Sequence, residues 1–157
     1  MSTTKCVPGR DASGGAGVYA QDVRLSAAQR RVYGLLAEDG GPLSAYELLD
    51  RLARAGNGAP RRVYPQTVYR ALARLCERGL VHRVESLNAY LPCRTPARKH
   101  RGIHLLCDRC GRAEELVDVD ISAALDAAAE ARGFQPQHQI IEVHGICAAC
   151  RSARAAP

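Results

Sequence analysis

Apolar positions in the first half of the chain recur every three to four residues in three segments, each bounded by capping or helix-breaking residues. This period is that of an amphipathic helix with one buried face. Ser26 and Ser44 each precede such a segment and are followed three residues later by Gln or Glu, the pattern of a capping box. The predicted helices run from Ser26 to Gly40, from Ser44 to the break at Gly56-Asn57-Gly58, and from Pro65 to Gly79.

Two short segments with β-branched residues follow the third predicted helix. Leu80–Glu85 and Ala89–Leu91 are joined by the polar turn Ser86-Leu87-Asn88, which predicts a hairpin. Three helices and a hairpin in this order are typical of a winged helix-turn-helix, whose last helix enters the DNA major groove and whose hairpin is the wing. We therefore assign residues 23–92 to a DNA-binding domain.

The second half of the chain alternates between short apolar strands and one helix. A domain of this size has little core of its own and often needs a metal ion or a partner chain. The predicted fold class is therefore α+β, with the winged helix-turn-helix followed by a small α/β dimerisation domain over residues 103–157. Its expected elements are strands Ile103–Leu106 and Arg112–Val117, a helix from a cap at Asp120 to Arg132, and a strand Gln139–Ile146.

Two segments have no apolar period. Residues 1–22 are rich in Gly, Ser and Ala, which predicts a flexible N-terminal arm. Residues 92–102, PCRTPARKHRG, contain two prolines and four Lys or Arg, so residues 93–102 are predicted to be a hinge between the domains. The short tail after Cys150 is expected to be frayed.

Composition indicates a soluble globular protein, with 46% hydrophobic and 24% charged residues and no run close to the ~20 apolar residues of a membrane span. The N-terminus lacks the apolar segment of a secretory signal, so we expect a cytoplasmic protein. Residues 1–92 carry 13 Lys and Arg against 8 Asp and Glu, whereas residues 93–157 carry 9 against 8. The basic excess in the first half favours a polyanionic partner.

Seven cysteines in a cytoplasmic chain indicate metal ligation more than disulfides. Four of them form two C-x-x-C pairs with 36 residues between the pairs. One such pair alone could be a redox site, but two pairs supply the four thiolates of a closed, structural zinc site. This site would clamp the C-terminal tail to the strands, and its expected ligands are Cys107, Cys110, Cys147 and Cys150.

Other histidine, cysteine and glutamate residues near the hinge predict a second metal site. They supply one thiolate, two imidazoles and a carboxylate, a mixture that suits zinc better than iron or manganese. Because they come from both halves of the chain, a bound ion would fix the angle between the domains. The predicted ligands are His82, Cys93, His100 and Glu115, with His104 as an alternative to His100. A further set, favoured less by the sequence, is His104, His138, Glu142 and His144.

Five motifs together resemble the ferric uptake regulator family. The first two resemble its DNA-binding domain, and the other three are similar to its zinc uptake regulator branch. The resemblance covers the chain from about Leu25 to Cys150. The motifs are LSAYELLD (43–50), TVYRAL (67–72), VHRVESLNAYLPC (81–93), CDRCG (107–111) and IEVHGICAAC (141–150).

The resemblance implies a two-domain homodimer that represses zinc-uptake genes when zinc is plentiful. It implies structural zinc on the four C-x-x-C cysteines and regulatory zinc on the mixed ligand set, hence at least two zinc ions per chain. It also implies that Tyr46 and Arg70 approach bases or phosphates. A twofold dimer would bind palindromic operator DNA.

Arg70 is expected on the exposed face of the third helix, where an arginine can bond to guanine through two hydrogen bonds. Tyr46 could reach a base edge or a phosphate from the second helix. The residues expected mostly to position the DNA backbone are Thr67, Tyr69, Arg61 and Arg62.

An enzyme is not expected, because the sequence contains no H-E-x-x-H, G-x-S-x-G or phosphate-loop motif. A closed four-thiolate site also leaves no coordination position for a substrate. The alternative closest to a zinc repressor is an iron, manganese or peroxide sensor on the same fold. Metal preference would separate these sensors from a zinc-responsive one.

Overall fold

The computed structural model describes residues 24–55, 62–96, 102–116 and 118–155. Within these ranges the helices are α1 (Ala27–Asp39), α2 (Ala45–Arg54), α3 (Pro65–Glu77), α4 (Val119–Glu130) and α5 (Ala148–Ala155). The strands are β1 (Leu43–Ser44), β2 (Val81–Val84), β3 (Ala89–Pro92), β4 (Ile103–Cys107), β5 (Ala113–Leu116) and β6 (Ile141–Gly145). The predicted α+β class is confirmed: a helical winged domain comes first and a second sheet follows.

The first two helices begin at the serines that the sequence identified. The Ser26 hydroxyl accepts a hydrogen bond from the Gln29 amide at 3.3 Å, and the Gln29 side chain accepts one from the Ser26 amide at 2.7 Å. Ser44 and Glu47 form the same reciprocal pair at 3.2 and 2.8 Å. These bonds pair amides that a helix start would otherwise leave unsatisfied, so they fix where α1 and α2 begin.

One apolar cluster joins the three N-terminal helices to the wing. Leu36 of α1, Leu48 of α2 and Leu72 of α3 are fully buried in it, together with Val81 of β2. Because α3 buries one face in this cluster, its opposite face points to solvent.

The wing is the antiparallel hairpin of β2 and β3, and β1 pairs with the other edge of β3. The hairpin strands end within one residue of the predicted Leu80–Glu85 and Ala89–Leu91. Strand β1 was not predicted, because two residues are too few to show an alternating pattern. Its last residue, Ser44, is also the cap of α2, so the pairing of β1 with β3 holds the start of α2 against the wing.

The second sheet has the strand order β5-β4-β6, with β4 antiparallel to β5 and parallel to β6. A parallel neighbour requires a crossover connection, which α4 supplies. Helix α4 buries none of its residues, and its apolar Val119, Ile121 and Leu125 are exposed. No helix in the described ranges has both the length and the apolar character of a membrane span.

The predicted cap of α4 at Asp120 is wrong. Asp118 is the cap: its carboxylate accepts hydrogen bonds from the amides of Asp120 at 2.9 Å and Ile121 at 3.1 Å. Two aspartates with one residue between them both fit the capping pattern, so the sequence alone did not separate them. The helix ends at Glu130, two residues before the predicted Arg132.

The C-terminal tail is helical through Ala155 rather than frayed after Cys150. Helix α5 begins inside the second C-x-x-C motif, where the Arg151 amide donates to the Cys147 carbonyl at 3.0 Å. The helix has formed because the cysteine turn supplies its first carbonyl acceptor. Strand β6, before this turn, is shorter than the predicted Gln139–Ile146.

The two sheets meet at a small apolar cluster. Val84 and Leu91 of the wing are buried in it with Leu106 and Ala113 of the second sheet. Several predicted features lie outside the described residues: the arm at 1–22, the break at Gly56-Asn57-Gly58, Arg61, and the middle of the hinge at 97–101 with His100.

Leu72→Ala should lower the free energy of unfolding by about 2–5 kcal/mol, because it leaves a cavity at a fully buried position. Urea denaturation followed by circular dichroism measures this loss. Gln66→Ala is the control, since Gln66 is exposed on the same helix. Equal stabilities of the two variants would contradict the core described above.

Candidate metal centres and DNA-binding surface

Four cysteine sulfurs converge at one end of the second sheet. Cys107 is the last residue of β4 and Cys110 lies in the turn after it, whereas Cys147 follows β6 and Cys150 lies in α5. Because β4 and β6 are parallel and end in register, both C-x-x-C turns leave the sheet at the same edge. The four sulfur atoms all lie within 4.8 Å of one another.

The spacing of these thiols fits a tetrahedral metal ion. The sulfurs of Cys110 and Cys147 are 3.8 Å apart, and Zn–S bonds of about 2.3 Å at tetrahedral angles separate two sulfurs by about 3.8 Å. Hydrogen bonds from the amides of Cys147 and Cys110 lower the pKa of Cys107 to about 6. They favour the thiolate, which is the form that binds metal.

Hydrogen bonds also connect the two cysteine turns to each other. The Asp108 amide donates to the Gly145 carbonyl at 2.9 Å, which continues the β4–β6 pairing into the first turn. The Arg109 guanidinium donates to the Cys150 carbonyl at 2.7 Å. These two hydrogen bonds therefore help to hold the four sulfurs together.

A second group of metal-binding side chains joins the wing to the second sheet. Its members are His82 on β2, His104 on β4 and Glu115 on β5, and their donor atoms lie within 4.8 Å of one another. His82 Nε2 is 2.8 Å from Glu115 Oε1, and the Glu115 side chain is completely buried. His104 and Glu115 are opposite each other in the β4–β5 register. We call this group the junction cluster.

Cys93 is buried at the edge of the junction cluster, beside Glu115. Burial and then the Glu115 carboxylate raise the pKa of the Cys93 thiol to about 11. The next residue, Arg94, donates its amide to Glu115 Oε2 at 2.9 Å. Of the ligands predicted from the sequence, the structure brings His82 and Glu115 together and places Cys93 next to them. It also brings His104, the predicted alternative to His100, into the same cluster.

The junction cluster fits zinc by the chemistry of its donors. Two imidazoles and a carboxylate, with a thiol beside them, are all ligand types that zinc accepts, and the thiol distinguishes the set from the all-oxygen or all-N/O sites of harder metals. Among the described residues, the donors available to an ion there are His82, His104 and Glu115, with Cys93 as a further donor.

Gly102 packs closely against the junction cluster. A β-carbon at this position would lie 3.1 Å from Glu115 Oε1 and 3.2 Å from His104 Nε2, closer than ordinary van der Waals contact. Sequence reasoning missed Gly102. The only feature of the sequence that could have indicated its role is that Gly102 directly precedes the predicted strand Ile103–Leu106, where no turn is evident.

The third set of possible ligands does not form one site. Among the described residues, only the four thiols and the junction cluster bring three or more potential ligand atoms together. Glu142 and His144 instead contact the turn of the wing. Glu142 accepts hydrogen bonds from the Glu85 and Ser86 amides, and His144 contacts the Ser86 hydroxyl.

The outward face of α3 carries the side chains that the sequence assigned to DNA. Thr67, Tyr69 and Arg70 are all exposed, on the side opposite the buried Val68 and Leu72. The Arg70 side chain makes no hydrogen bond or ion pair with any other residue in the described part of the chain. Its guanidinium is therefore available to a ligand that approaches α3.

Further exposed groups lie at the starts of α2 and α3. Tyr46, in the first turn of α2, is 75% exposed. The Arg62 guanidinium lies over the ring of exposed Tyr64, 5.9 Å from the ring centre. Tyr64 was not assigned a role from the sequence, where it stood only as the residue before Pro65. The contact between the Tyr64 ring and the Arg62 guanidinium places a positive charge on the surface next to α3.

A winged helix with a free arginine on its outward helix, joined to a sheet with two clusters of potential metal ligands, defines a metal-binding DNA-binding protein. Residues 20–144 match the model of the Ferric uptake regulator family. The chain belongs to the ferric uptake regulator family, and its relatives place it in the zinc uptake regulator branch.

Three relatives show this similarity. The zinc uptake regulation protein of Escherichia coli (strain K12) is 40% identical over 131 residues, which are 83% of this chain and 74% of the relative. The structure of a zinc uptake regulator complexed with zinc and DNA is 38% identical, with a TM-score of 0.77 over 88% of this chain and 91% of that chain. Holo XcZur is 44% identical, with a TM-score of 0.73 over 85% and 91%. The resemblance inferred from the motifs is confirmed.

Cys110→Ser should weaken zinc binding at the four-thiol cluster by more than ~100-fold, since the loss of an outer-shell partner alone costs ~10–100-fold. Competition with a chromophoric chelator measures the affinity. The thiolate-to-metal absorption of the cobalt(II) form reports the sulfur ligands. Cys76→Ser is the matched control, because Cys76 is a free thiol outside both clusters. An unchanged cobalt spectrum in Cys110→Ser would contradict the cluster.

Proposed function

We propose that the chain is a zinc-responsive transcriptional regulator that binds DNA and represses zinc-uptake genes when zinc is bound. The observation that carries the proposal is the junction cluster, because its ligands come from the wing and from the second sheet. The proposal is supported by relatives whose names describe zinc uptake regulation and by a related regulator solved with zinc and DNA. The chain would act in the cytoplasm, where its DNA is.

We assign two roles to zinc, with at least one ion for each. The four thiols Cys107, Cys110, Cys147 and Cys150 would form a closed structural site within the C-terminal part of the chain. The junction cluster would form the regulatory site, with His82, Cys93 and Glu115 as ligands. Its remaining ligand is His100, as the resemblance implies, or His104, which lies in the cluster.

The regulatory site would work by fixing the orientation of the wing. His82 belongs to the wing, whereas His104 and Glu115 belong to neighbouring strands of the second sheet. His82, His104 and Glu115 would hold a zinc ion between the two sheets, and its positive charge would offset the buried Glu115 carboxylate. The winged domain and the second sheet can adopt several relative orientations. Ligation by His82 and Glu115 would then favour the orientation that binds DNA.

Cys93 makes zinc binding dependent on proton release. With a pKa of about 11, its thiol is protonated at neutral pH. Ligation requires the thiolate, so Cys93 must give up its proton when it binds a metal ion. Low pH should therefore weaken binding at the regulatory site.

We propose that the apolar face of the C-terminal part binds a second copy of the chain. Leu105 of β4 and Val143 of β6 are paired neighbours and both are exposed. Helix α4 exposes Ile121 and Leu125 and buries no residue of its own. A helix with this pattern gains stability only when a partner covers it. A twofold dimer would present two copies of α3 to a palindromic operator.

On DNA, Arg70 would read a guanine in the major groove, and Tyr46 would reach a base or a phosphate. The exposed Thr67, Tyr69 and Arg62 would contact the phosphate backbone, with Arg61 as a further contact outside the described residues. Because several phosphates are neutralised, binding should weaken steeply with salt.

The decisive test is fluorescence anisotropy of a labelled palindromic promoter fragment with the full-length protein at buffered free zinc. Iron(II) and manganese(II) serve as metal controls. DNA binding that appears only with zinc supports the proposal. Activation by iron or manganese would make the protein a different sensor on the same fold, and binding that ignores every metal would leave zinc with a purely structural role.

Cys93→Ser should retain the fold and the structural zinc but lose the gain in DNA affinity that zinc produces. Coupling of ~1–3 kcal/mol per site corresponds to a gain of ~5–150-fold per site. Anisotropy with and without free zinc measures the gain, and thermal unfolding measures the fold. Cys110→Ser is the comparison and should lose stability itself. Identical effects of both variants would contradict the division into regulatory and structural sites.

Arg70→Ala should weaken DNA binding by about 1–3 kcal/mol and relax the preference for one base pair, because it removes a base contact. The measurement is anisotropy with operator variants at each position. Arg74→Ala is the matched control on the same helix, since the Arg74 guanidinium is already paired with Glu77 at 2.7 Å. The assignment fails if Arg70→Ala keeps both affinity and base preference.

A further inference from the structure

Strand β6 contacts the turn of the wing through one carboxylate. Glu142 Oε1 accepts a hydrogen bond from the Glu85 amide at 2.6 Å, and Oε2 accepts one from the Ser86 amide at 3.1 Å. Two consecutive amides of the turn thus point at the two oxygens of one side chain. Hydrogen bonds to an ionised acceptor are stronger than those between neutral groups.

A histidine two residues further along β6 adds a second contact to the same turn. His144 Nε2 lies 3.1 Å from the Ser86 hydroxyl, and His144 Nδ1 lies 3.0 Å from Asp108 Oδ1. Asp108 belongs to the first cysteine turn, directly after Cys107. A continuous chain of contacts therefore runs from the four-thiol cluster to the wing.

The alternation of side chains along a strand explains why these two residues act together. Glu142 and His144 are separated by one residue, so they lie on the same face of β6, and Val143 lies on the other. Glu142 is also the paired neighbour of His104, a member of the junction cluster. The face of β6 that meets the wing is thus next to the proposed regulatory site.

The contact is electrostatically favourable although it lies near the surface. Burial alone would raise the pKa of Glu142, but hydrogen bonds from the Ser86 hydroxyl and from the Glu85 and Ser86 amides hold it below its ordinary value. The carboxylate is therefore ionised at neutral pH. Because Glu85 and Ser86 are exposed, water can replace these bonds when the wing turns away, so the contact can form and open.

We propose that Glu142 and His144 are positioning residues that hold the wing turn at Glu85 and Ser86 in the orientation that binds DNA. The inference rests on the proposed function, since it concerns the orientation that regulatory zinc favours. His82 fixes the wing at one point, in β2, and Glu142 holds it at a second point three residues further along. Together with the apolar contact of Val84 and Leu91 with the second sheet, these two attachments restrict the orientation of the wing.

The test is Glu142→Gln in the full-length protein. Glutamine keeps the shape of the side chain, but its amide nitrogen cannot accept a hydrogen bond from the wing. The zinc-dependent gain in DNA affinity should fall by ~10-fold, while DNA binding without regulatory zinc stays unchanged. Hydrogen exchange at the Glu85 and Ser86 amides should accelerate in the zinc-loaded variant. Glu38→Gln is the matched control, because Glu38 is exposed near the end of α1 and belongs to neither cluster.

The outcomes separate the inference from the proposed function. A wild-type protein that binds DNA equally with and without zinc would overturn the proposed function and with it the positioning role. The positioning role alone would be overturned if the wild type responds to zinc and Glu142→Gln shows the same zinc-dependent gain in DNA affinity and the same amide exchange at Glu85 and Ser86. A purely structural role predicts a lower melting temperature with an unchanged zinc gain. Ser86→Ala tests the hydroxyl contact separately, without changing β6, and should reduce the zinc gain by a smaller factor.

Discussion

The parallel pairing of β4 with β6 is the constraint on which the other features depend. It brings two segments separated by more than thirty residues to the same sheet edge, so that the C-x-x-C turns meet and their sulfurs come within 4.8 Å. The same register places Glu142 beside His104, and it brings Glu142 and His144 into contact with the turn of the wing. Crossover helix α4 makes this pairing possible, and its exposed apolar face is then left for a partner.

A buried carboxylate dominates the junction between the two sheets. Glu115 is shielded from water, and it contacts His82 of the wing and the Arg94 amide of the following segment. A buried charge is costly unless other groups compensate it, so Glu115 favours positions in which these partners are near. A cation among Glu115, His82 and His104 would strengthen this preference. This position of the carboxylate, between two parts of the chain, is why we propose that the site responds to metal.

Local signals in the sequence were sufficient for much of the fold. The capping boxes at Ser26 and Ser44 and the C-x-x-C spacing each depend on residues close together in the chain, and the structure contains all of them. One error was local, the choice of Asp120 instead of Asp118 as the cap of α4, and the others concern features decided by tertiary contacts. Helix α5 starts on the cysteine turn, and β1 exists because β3 is available to pair with it. His104 joins the junction cluster because its register partner is Glu115, and Glu142 contacts the wing rather than a metal. The register between two strands cannot be predicted from the residues of one short segment. The sequence therefore did not decide between His100 and His104 as a ligand.

The location of each cluster decides which one can regulate. All four thiols belong to β4, β6 and the segments that follow them, so an ion there ties the C-terminal part to itself. Its loss would cost stability chiefly within the C-terminal part and would change the balance between wing orientations less, because a ligand shifts that balance only through a difference in affinity. The junction cluster includes His82 of the wing, so its donors converge only when the wing lies against the second sheet. An ion there would stabilise one orientation over others, and this difference in affinity is what a switch requires.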